Sequence, residues 1–274
     1  MSRVASQPAP AQDPIIASVA AALSGVPGVS AVAIGGSRAI GTADAGSDYD
    51  IIAFESRLGA INKEYLNAAV RHLAGPAVSL SPNGNLVNLT ISGQKVEILV
   101  RSLDVIAAEI EAARQGIFKR TLHPLHPIGY LTTIIISYVV YALPVNDPEH
   151  ILRDLIRRAM LYPEILRSRM IGTFRTEAEF ALIHASKVRS PLDLPYLTAL
   201  YAQAIACWQL MLFAVNRRYP VIDKGGMRLV MGMPQHPQNF QFRTMKILRD
   251  IASEDLQTAR NDAAKLHHEI VAFR

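Results

Sequence analysis

Three acidic residues stand out by position: Asp48 and Asp50 in SDYDIIAF, one residue apart at the head of an apolar run, and Glu97 in KVEILV, set between valine and isoleucine. On a strand, residues two apart point to one face, so Asp48 and Asp50 would stand together with Tyr49 turned the other way. Two carboxylates held side by side repel, and a bound cation relieves that repulsion. Their hard oxygens suit Mg²⁺ or Mn²⁺. Glu97 is the candidate third ligand, because a glutamate inside a core strand needs either solvent or a partner. Upstream, an apolar run ends in GGSRAIG. Gly35 and Gly36 let the backbone approach a ligand with no Cβ in the way. If a helix opens there, its first amides and the Ser37 hydroxyl form a donor set for an anion, a phosphate first among them.

Each feature alone is common. Glycine-serine turns follow strands in many α/β proteins, Asp-x-Asp occurs in many loops, and a lone strand glutamate is usually solvated. The order of the features is what informs: strand, Gly-Gly-Ser, short connection, Ser-Asp-x-Asp opening a strand, then Glu on a later strand. GGSRAIG lacks the G-x-G-x-x-G of dinucleotide folds, and no G-K-[ST] follows as in a P-loop. No glutamate stands at the offset an EF-hand requires.

The elements that must position these residues follow from the pattern. Residues 14–24 carry helix formers behind an early proline and stop at glycines and Pro27. VSAVAI (29–34) and DYDIIAF (48–54) read as strands, and residues 58–75 as a helix ending at Gly75. LVNLTI and KVEILV read as two further strands joined at SGQ in a hairpin-like turn. SLDVIAAEIEAARQG reads as a helix with Ser102 as N-cap and Gly116 at its end. Prolines punctuate 121–150, where YVVYALPV is a candidate closing strand. Beyond residue 150 four segments have helical periodicity and no strand pattern interrupts them. The expected organisation is a flexible leader (1–12), a mixed α/β domain (13–150) and a helical domain (151–274).

Composition bounds the reading. The chain has 274 residues, half of them hydrophobic, and a mean hydropathy of +0.18. It can bury a core, which argues against disorder over its bulk. The net charge of +5 and pI near 9.4 suit anionic partners. The arginines fall in short clusters, such as Arg153, Arg157 and Arg158, that read as solvated helix faces before a nucleic-acid stripe. One cysteine, Cys207 beside Trp208, excludes an internal disulfide and reads as a small core residue. The N-terminus lacks the apolar stretch of a signal peptide, and the expected compartment is the cytoplasm. The longest apolar stretch (128–145) is short for a bilayer span and reads as a buried segment. His123 and His126 read as part of a proline-rich turn before a zinc pair. His267 and His268 read as solvent-facing, and the methionines of GGMRLVMGMP as packing residues.

At Gly36-Ser37, Asp48, Asp50 and Glu97 the sequence resembles the DNA polymerase beta-like nucleotidyltransferase superfamily, and GGSRAIGTADAGSDYDI is close to the form in small bacterial and antibiotic-modifying members. The resemblance covers residues 29–100. The second half resembles the C-terminal helical domain of the aminoglycoside nucleotidyltransferase-like group, through Asn216, Tyr219 and Lys224 in LFAVNRRYPVIDKG. The resemblance implies an α+β fold: a small mixed-sheet nucleotidyltransferase domain followed by an all-α domain. It implies transfer of a nucleoside monophosphate from an NTP, with ATP the first choice, to a hydroxyl, with release of pyrophosphate. It implies two divalent cations on the carboxylates. Gly35, Gly36 and Ser37 would then grip the β and γ phosphates, Asp48 and Asp50 would bind both metals, and Glu97 would bind the catalytic metal or act as base. Lys224 would reach the triphosphate, against the alternative of an exposed loop lysine. Arg38 either follows the short helix or makes a structural ion pair. Asp193 either contacts the acceptor or caps the helix that Pro195 opens. A homodimer is a further expectation from the resemblance alone.

The acceptor stays open at this level. A small hydroxyl compound is the first expectation; the basic helical half fits an uncharged or anionic acceptor better than a cationic drug. A partner protein modified on tyrosine or serine would call for an exposed apolar patch. A nucleic-acid end would call for a continuous basic surface and salt-sensitive binding. A binding protein without activity fits poorly with three retained carboxylates. No membrane partner is expected.

Overall fold

The structure, a computed structural model, describes residues 13–44, 46–74, 78–81, 84–123, 126–221 and 223–273, apart from the side chains of 127, 128, 191, 223 and 224. The proposed leader, 1–12, lies outside the described residues. The chain forms two compact units. The first comprises Met1–Ile110 and Ile135–Leu161, the second Glu111–Ile134 and Tyr162–Arg274. The division thus differs from a single cut at residue 150. The segment 111–134 groups with the helical part, and 151–161 stays with the sheet.

The first unit runs α1 (Pro14–Ser24), β1 (Val29–Ile34), α2 (Gly36–Ala39), β2 (Tyr49–Glu55), α3 (Lys63–Ala74), β3 (Val78–Leu80), β4 (Leu86–Ile91), β5 (Gln94–Ser102) and into α4 (Leu103–Arg114). The chain then forms β6 (Arg120–His123) and β7 (His126–Leu131), which belong to the second unit, and returns through α5 (Thr133–Val140) to β8 (Leu143–Asn146) and α6 (Ile151–Ala159). Six strands form one mixed sheet in the order β3-β4-β5-β2-β1-β8. Among the described strands of this sheet, β2 and β5 pair in parallel and the others antiparallel. The β4–β5 turn has Ser92 and Gly93 both at positive φ, as a two-residue hairpin on twisted strands favours. The apolar stretch 128–145 is divided among β7, α5 and β8.

Alternation fixes which side of each strand is buried. Tyr49, Ile51 and Ala53 of β2, Val96, Ile98 and Val100 of β5, and Val87 and Leu89 of β4 point into one core with Val32 and Ile34. Ile16, Val19 and Leu23 of α1 and Leu66 and Val70 of α3 close that core. Full burial of such side chains is worth about 1.5–3 kcal/mol each. A slip of one residue in β2 or β5 would turn this set outward, so the register is strongly specified.

In the second unit, β6 and β7 pair as a two-stranded hairpin. Arg120 anchors it by donating to both oxygens of Glu177, at 2.6 and 2.9 Å, on α7 (Glu164–Lys187). A 3-10 turn (Pro191–Asp193) leads to α8 (Leu194–Val215), followed by α9 (Asp223–Met231), α10 (Phe240–Ala252) and α11 (Leu256–Ala272). Small residues on α7, Ala178, Ala181 and Ala185, are fully buried and let α8 approach closely. Among the described residues α8 alone is long and apolar enough to cross a membrane, but 67% of its most apolar window is buried inside the protein. That is the packing of a core helix.

Candidate functional site

The alternation that buries Tyr49 and Ile51 places Asp50 on the opposite face of the sheet, and the same holds for Glu97 between Val96 and Ile98. The parallel register sets Asp50 directly beside Glu97. On the other side of Glu97 stands Asn88 of β4, and beside Asn88 stands Ser79 of β3. A polar row, Asp50–Glu97–Asn88–Ser79, therefore crosses four strands on one face. Directly paired side chains on a sheet lie about 5 Å apart at Cβ, so the two carboxylates can share a ligand. Asn88 interrupts the apolar run LVNLTI as Glu97 interrupts KVEILV, and that was the signal by which sequence reasoning could have found it.

The glycine turn meets this row at Asp50. The amide of Gly35 donates to the Asp50 carbonyl at 2.8 Å, which ties the turn to the first residues of β2. Gly36 has φ +56, and a Cβ there would lie 1.7 Å from Asp50 Oδ2. The carboxylate thus rests on the bare backbone of Gly36. α2 is a single turn, the short helix the glycine turn was expected to open. Ser37 is half-buried, and its carbonyl accepts from the Thr42 amide at 2.9 Å.

β2 begins at Tyr49, so Asp48 is the residue immediately before the strand. Arg38 sets its backbone. The guanidinium donates to the Ser47 carbonyl at 2.8 Å and the Asp48 carbonyl at 3.3 Å. It also lies 3.7 Å over the Tyr49 ring. Arg38 thus engages two carbonyls and a ring, which differs from both expectations held for it, a side chain following the helix and an ion pair. The Tyr49 hydroxyl donates to Asp13 Oδ2 at 2.9 Å, while Oδ1 of Asp13 caps α1 by accepting from the Ile15 and Ile16 amides. Burial, with that bond to Asp13, pushes the Tyr49 hydroxyl above its ordinary pKa, against the pull of the Arg38 charge.

Asp48 and Glu97 line a common open cavity of about 560 Å³ with Ser79, Asn88, Thr90 and Lys95. Lys95 and Glu97 are two apart on β5 and share a face. Among the described residues no three His, Cys, Asp or Glu side chains converge closely enough to form a ready metal-ligand group. The fit to a divalent cation is therefore pairwise. Asp50 is paired with Glu97 across the strands, Asp48 and Glu97 share a cavity, and all donors are the hard oxygens that Mg²⁺ or Mn²⁺ prefers.

The remaining candidates lie in the second unit. Asp193 ends the 3-10 turn at the N-cap position of α8, is exposed, and makes no side-chain capping bond. Lys224 is the second residue of α9, and its side chain lies outside the described set. Asn216 braces the loop that follows α8. Its side-chain amide donates to the Leu212 and Gln235 carbonyls at 2.8 and 2.7 Å and accepts from the Gln235 amide at 2.9 Å. Tyr219 is buried, its hydroxyl pushed up to about 12 by that burial. His123 and His126 face each other across the β6–β7 hairpin with ring centres 4.9 Å apart, and Tyr130 joins them. His267 is not solvent-facing: its Nδ1 accepts the Trp208 indole N–H at 3.0 Å, while His268 is exposed. Cys207 is buried, its thiol pushed up to about 12, first by burial.

No family model matches the chain, and no curated protein does. Among solved structures, a nucleotidyltransferase-like protein from Exiguobacterium sibiricum 255-15 aligns with a TM-score of 0.41 and 9% identity, over 90% of this chain and 68% of that one. A likeness of that degree says nothing about chemistry. What stands on the described residues is an α+β chain with a mixed six-stranded sheet, a helical C-terminal region and a carboxylate pair beside a glycine turn.

Proposed function

We propose that the chain is a metal-dependent nucleotidyltransferase that moves a nucleoside monophosphate from an NTP, with ATP the first choice, to a hydroxyl of a small acceptor and releases pyrophosphate. The observation that carries this reading is the register that pairs Asp50 with Glu97, with Asp50 seated on Gly36. Asp50 with Glu97 as one pair, and Asp48 with Glu97 as another, would supply carboxylate oxygens to Mg²⁺ or Mn²⁺. When bound, such ions supply charge neutralisation on the triphosphate and make a hydroxyl more acidic. With the Gly35 amide already given to the Asp50 carbonyl, the Gly36 and Ser37 amides would orient the β and γ phosphates against the pair of Asp50 and Glu97. Of the paired Asp50 and Glu97, Glu97 lines the open cavity, so it is the candidate to take the proton of an acceptor hydroxyl held there. Asn88, Thr90 and Ser79 offer the acceptor neutral hydrogen-bonding groups, and Lys95 offers one positive charge. This lining suits an uncharged or anionic polar acceptor.

A second reading, a protein acceptor, is favoured by one observation. Phe180 and Ile183 of α7, three residues apart and so neighbours on its surface, are 59% and 55% exposed. Both readings meet one experiment. Labelled ATP, GTP, CTP and UTP are supplied with Mg²⁺ or Mn²⁺ and a panel of hydroxyl compounds, or with cell lysate. Pyrophosphate release and label transfer are scored for the wild type and for Asp50→Asn. The expected result is metal-dependent release lost in Asp50→Asn while the variant melts cooperatively. Label on small molecules supports the first reading and label on a protein band the second; undiminished turnover in Asp50→Asn refutes both.

A further inference from the structure

We propose that Lys95 and Thr90 form the acceptor subsite of this chain and that the acceptor is a hydroxylated anion, with its reacting hydroxyl at Glu97 and a carboxylate or phosphate monoester at Lys95. The inference rests on the transfer reading above and narrows its substrate class. Strand register carries it. Glu97 is paired with Asn88, and further along the same face Lys95 is paired with Thr90. Residues two apart on a strand share a face and lie about 7 Å apart. Val96, between Lys95 and Glu97, is fully buried in the core on the other face. The open cavity of about 560 Å³ is thus floored by two successive polar pairs, Glu97–Asn88 and Lys95–Thr90, and Asp48 also lines it.

Charge along this floor has a direction. Among the described residues that line the cavity, Lys95 alone is cationic, while Asp48 and Glu97 are acidic. Among the described residues the Lys95 ammonium and the Glu97 carboxylate pair neither with each other nor with another side chain. Lys246 of the second unit, by contrast, is held by Asp250 and Asp262. An ammonium binds a carboxylate or phosphate through charge-assisted hydrogen bonds, which are roughly twice as strong as neutral ones, and Thr90 adds a hydroxyl donor beside it. The same polarity orients the ligand. An anionic group is drawn to Lys95 and repelled by the carboxylates, so the compound lies in one direction, with its hydroxyl toward Glu97. A cationic group would be drawn to Glu97 itself and would displace the hydroxyl. In the transfer the acceptor oxygen bonds to the α-phosphorus of the NTP. The bond from that phosphorus to the oxygen bridging to the β-phosphorus breaks, pyrophosphate leaves with the electron pair, and the hydroxyl proton goes to Glu97. Lys95 takes no part in these bonds and holds the far end of the acceptor.

Two readouts on the full chain test the proposal. The first is kcat and KM for label transfer from labelled NTPs with Mg²⁺ to matched acceptors: glycerol against glycerol 3-phosphate, sorbitol against gluconate, and glucosamine as the cation. The wild type is expected to favour each anion over its neutral partner by about 10-fold or more in kcat/KM. Lys95→Arg should keep that preference and Lys95→Met should lose it, the loss appearing in KM. The second readout is acylation of Lys95 by an amine-directed reagent, measured by mass spectrometry of the peptide that carries it, with the exposed Lys187 as internal control. Glycerol 3-phosphate and gluconate should protect Lys95 and not Lys187, and the neutral partners should protect neither. Three results overturn the anionic subsite while leaving the transfer reading intact: equal or better use of the neutral or cationic compounds, a preference that survives in Lys95→Met, or transfer without protection of Lys95. Protection of Lys95 without transfer to any acceptor upholds the anion subsite and refutes the transfer reading. Neither transfer nor protection overturns both.

Discussion

Gly36→Ala asks more of the site than any substitution of a carboxylate, because it leaves every charged group in place. At φ +56 an alanine is in the left-handed region, at a cost of about 1–2 kcal/mol. Its Cβ would lie 1.7 Å from Asp50 Oδ2, 2.6 Å from Cγ and 3.0 Å from Cβ. Ordinary contact begins at 3.4 Å, so the carboxylate must retreat by about 1.7 Å, the difference between 3.4 and 1.7 Å. Displacement of a reacting group by about 1 Å can lower a rate by about 10²-fold. The expected outcome is a fall of at least about 10² in metal-dependent turnover, a weaker Mn²⁺ titration, and a melting temperature lower by about 2–4 °C per kcal/mol lost.

Gly35→Ala is the control. Gly35 has φ −115, which any residue adopts, and its Cβ would meet most closely the end of the Ile52 side chain, at 3.1 Å. That contact relaxes by a small rotation of a flexible group. The control is expected to lose about 1 kcal/mol of stability with Asp50 undisturbed and Mn²⁺ binding retained. The assay is therefore a pair of variants under one turnover and one titration protocol. Equal Mn²⁺ affinity in the two variants, or wild-type turnover in Gly36→Ala, would refute the claim that Asp50 must stand where it does.

Three further outcomes test other parts of the molecule. Burial lowers the pKa of His267, reinforced by Arg175 and His268 and opposed by Glu179. The unfolded chain therefore takes up the proton first as pH falls below its ordinary value of 6.5. The contribution is full above that pH and is lost as pH falls toward the depressed folded value; urea midpoints measured from pH 8 downward should fall there, and fall less in His267→Gln. Asn216→Ala should cost about 1–3 kcal/mol in urea denaturation, because it strips partners from the Gln235 amide and carbonyl. The Cys207 thiol, pushed up to about 12, should resist a thiol-specific reagent in the native protein and react once urea unfolds it.

The strands nearest the site were legible because their alternation is clean. VSAVAI and LVNLTI coincide with β1 and β4, and KVEILV lies within β5. The start of β2 was misplaced by one residue because Asp48 satisfies the alternating pattern, while its carbonyl is taken by Arg38 rather than by a neighbouring strand. The β6–β7 hairpin stayed hidden because prolines interrupt it and Leu122 points into solvent at 99% exposure, which erases any apolar periodicity. Nor could spacing alone reveal that Asp50 and Glu97 are neighbours. Their parallel pairing needs the crossover through α3, β3 and β4, and nothing local in either segment specifies it. The half-buried His267 was missed because its partner, Trp208, is fifty-nine positions away.

The side of the sheet that holds the candidate site is determined by the side that holds the core. Tyr49, Ile51 and Ala53, with Val96, Ile98 and Val100, must face α1 and α3. Asp50 and Glu97 are then forced to the opposite face and into register with each other. A slip of one residue in either strand would drive a carboxylate into the apolar layer, where an uncompensated charge costs several kcal/mol. The hydrophobic pattern thus protects the carboxylate pair without any contact to it. Asp48 stands just before the strand, and its carbonyl accepts from the Arg38 guanidinium. Substitutions in the core face of β5 should therefore lower stability while leaving the pairing of Asp50 with Glu97 intact in the molecules that fold.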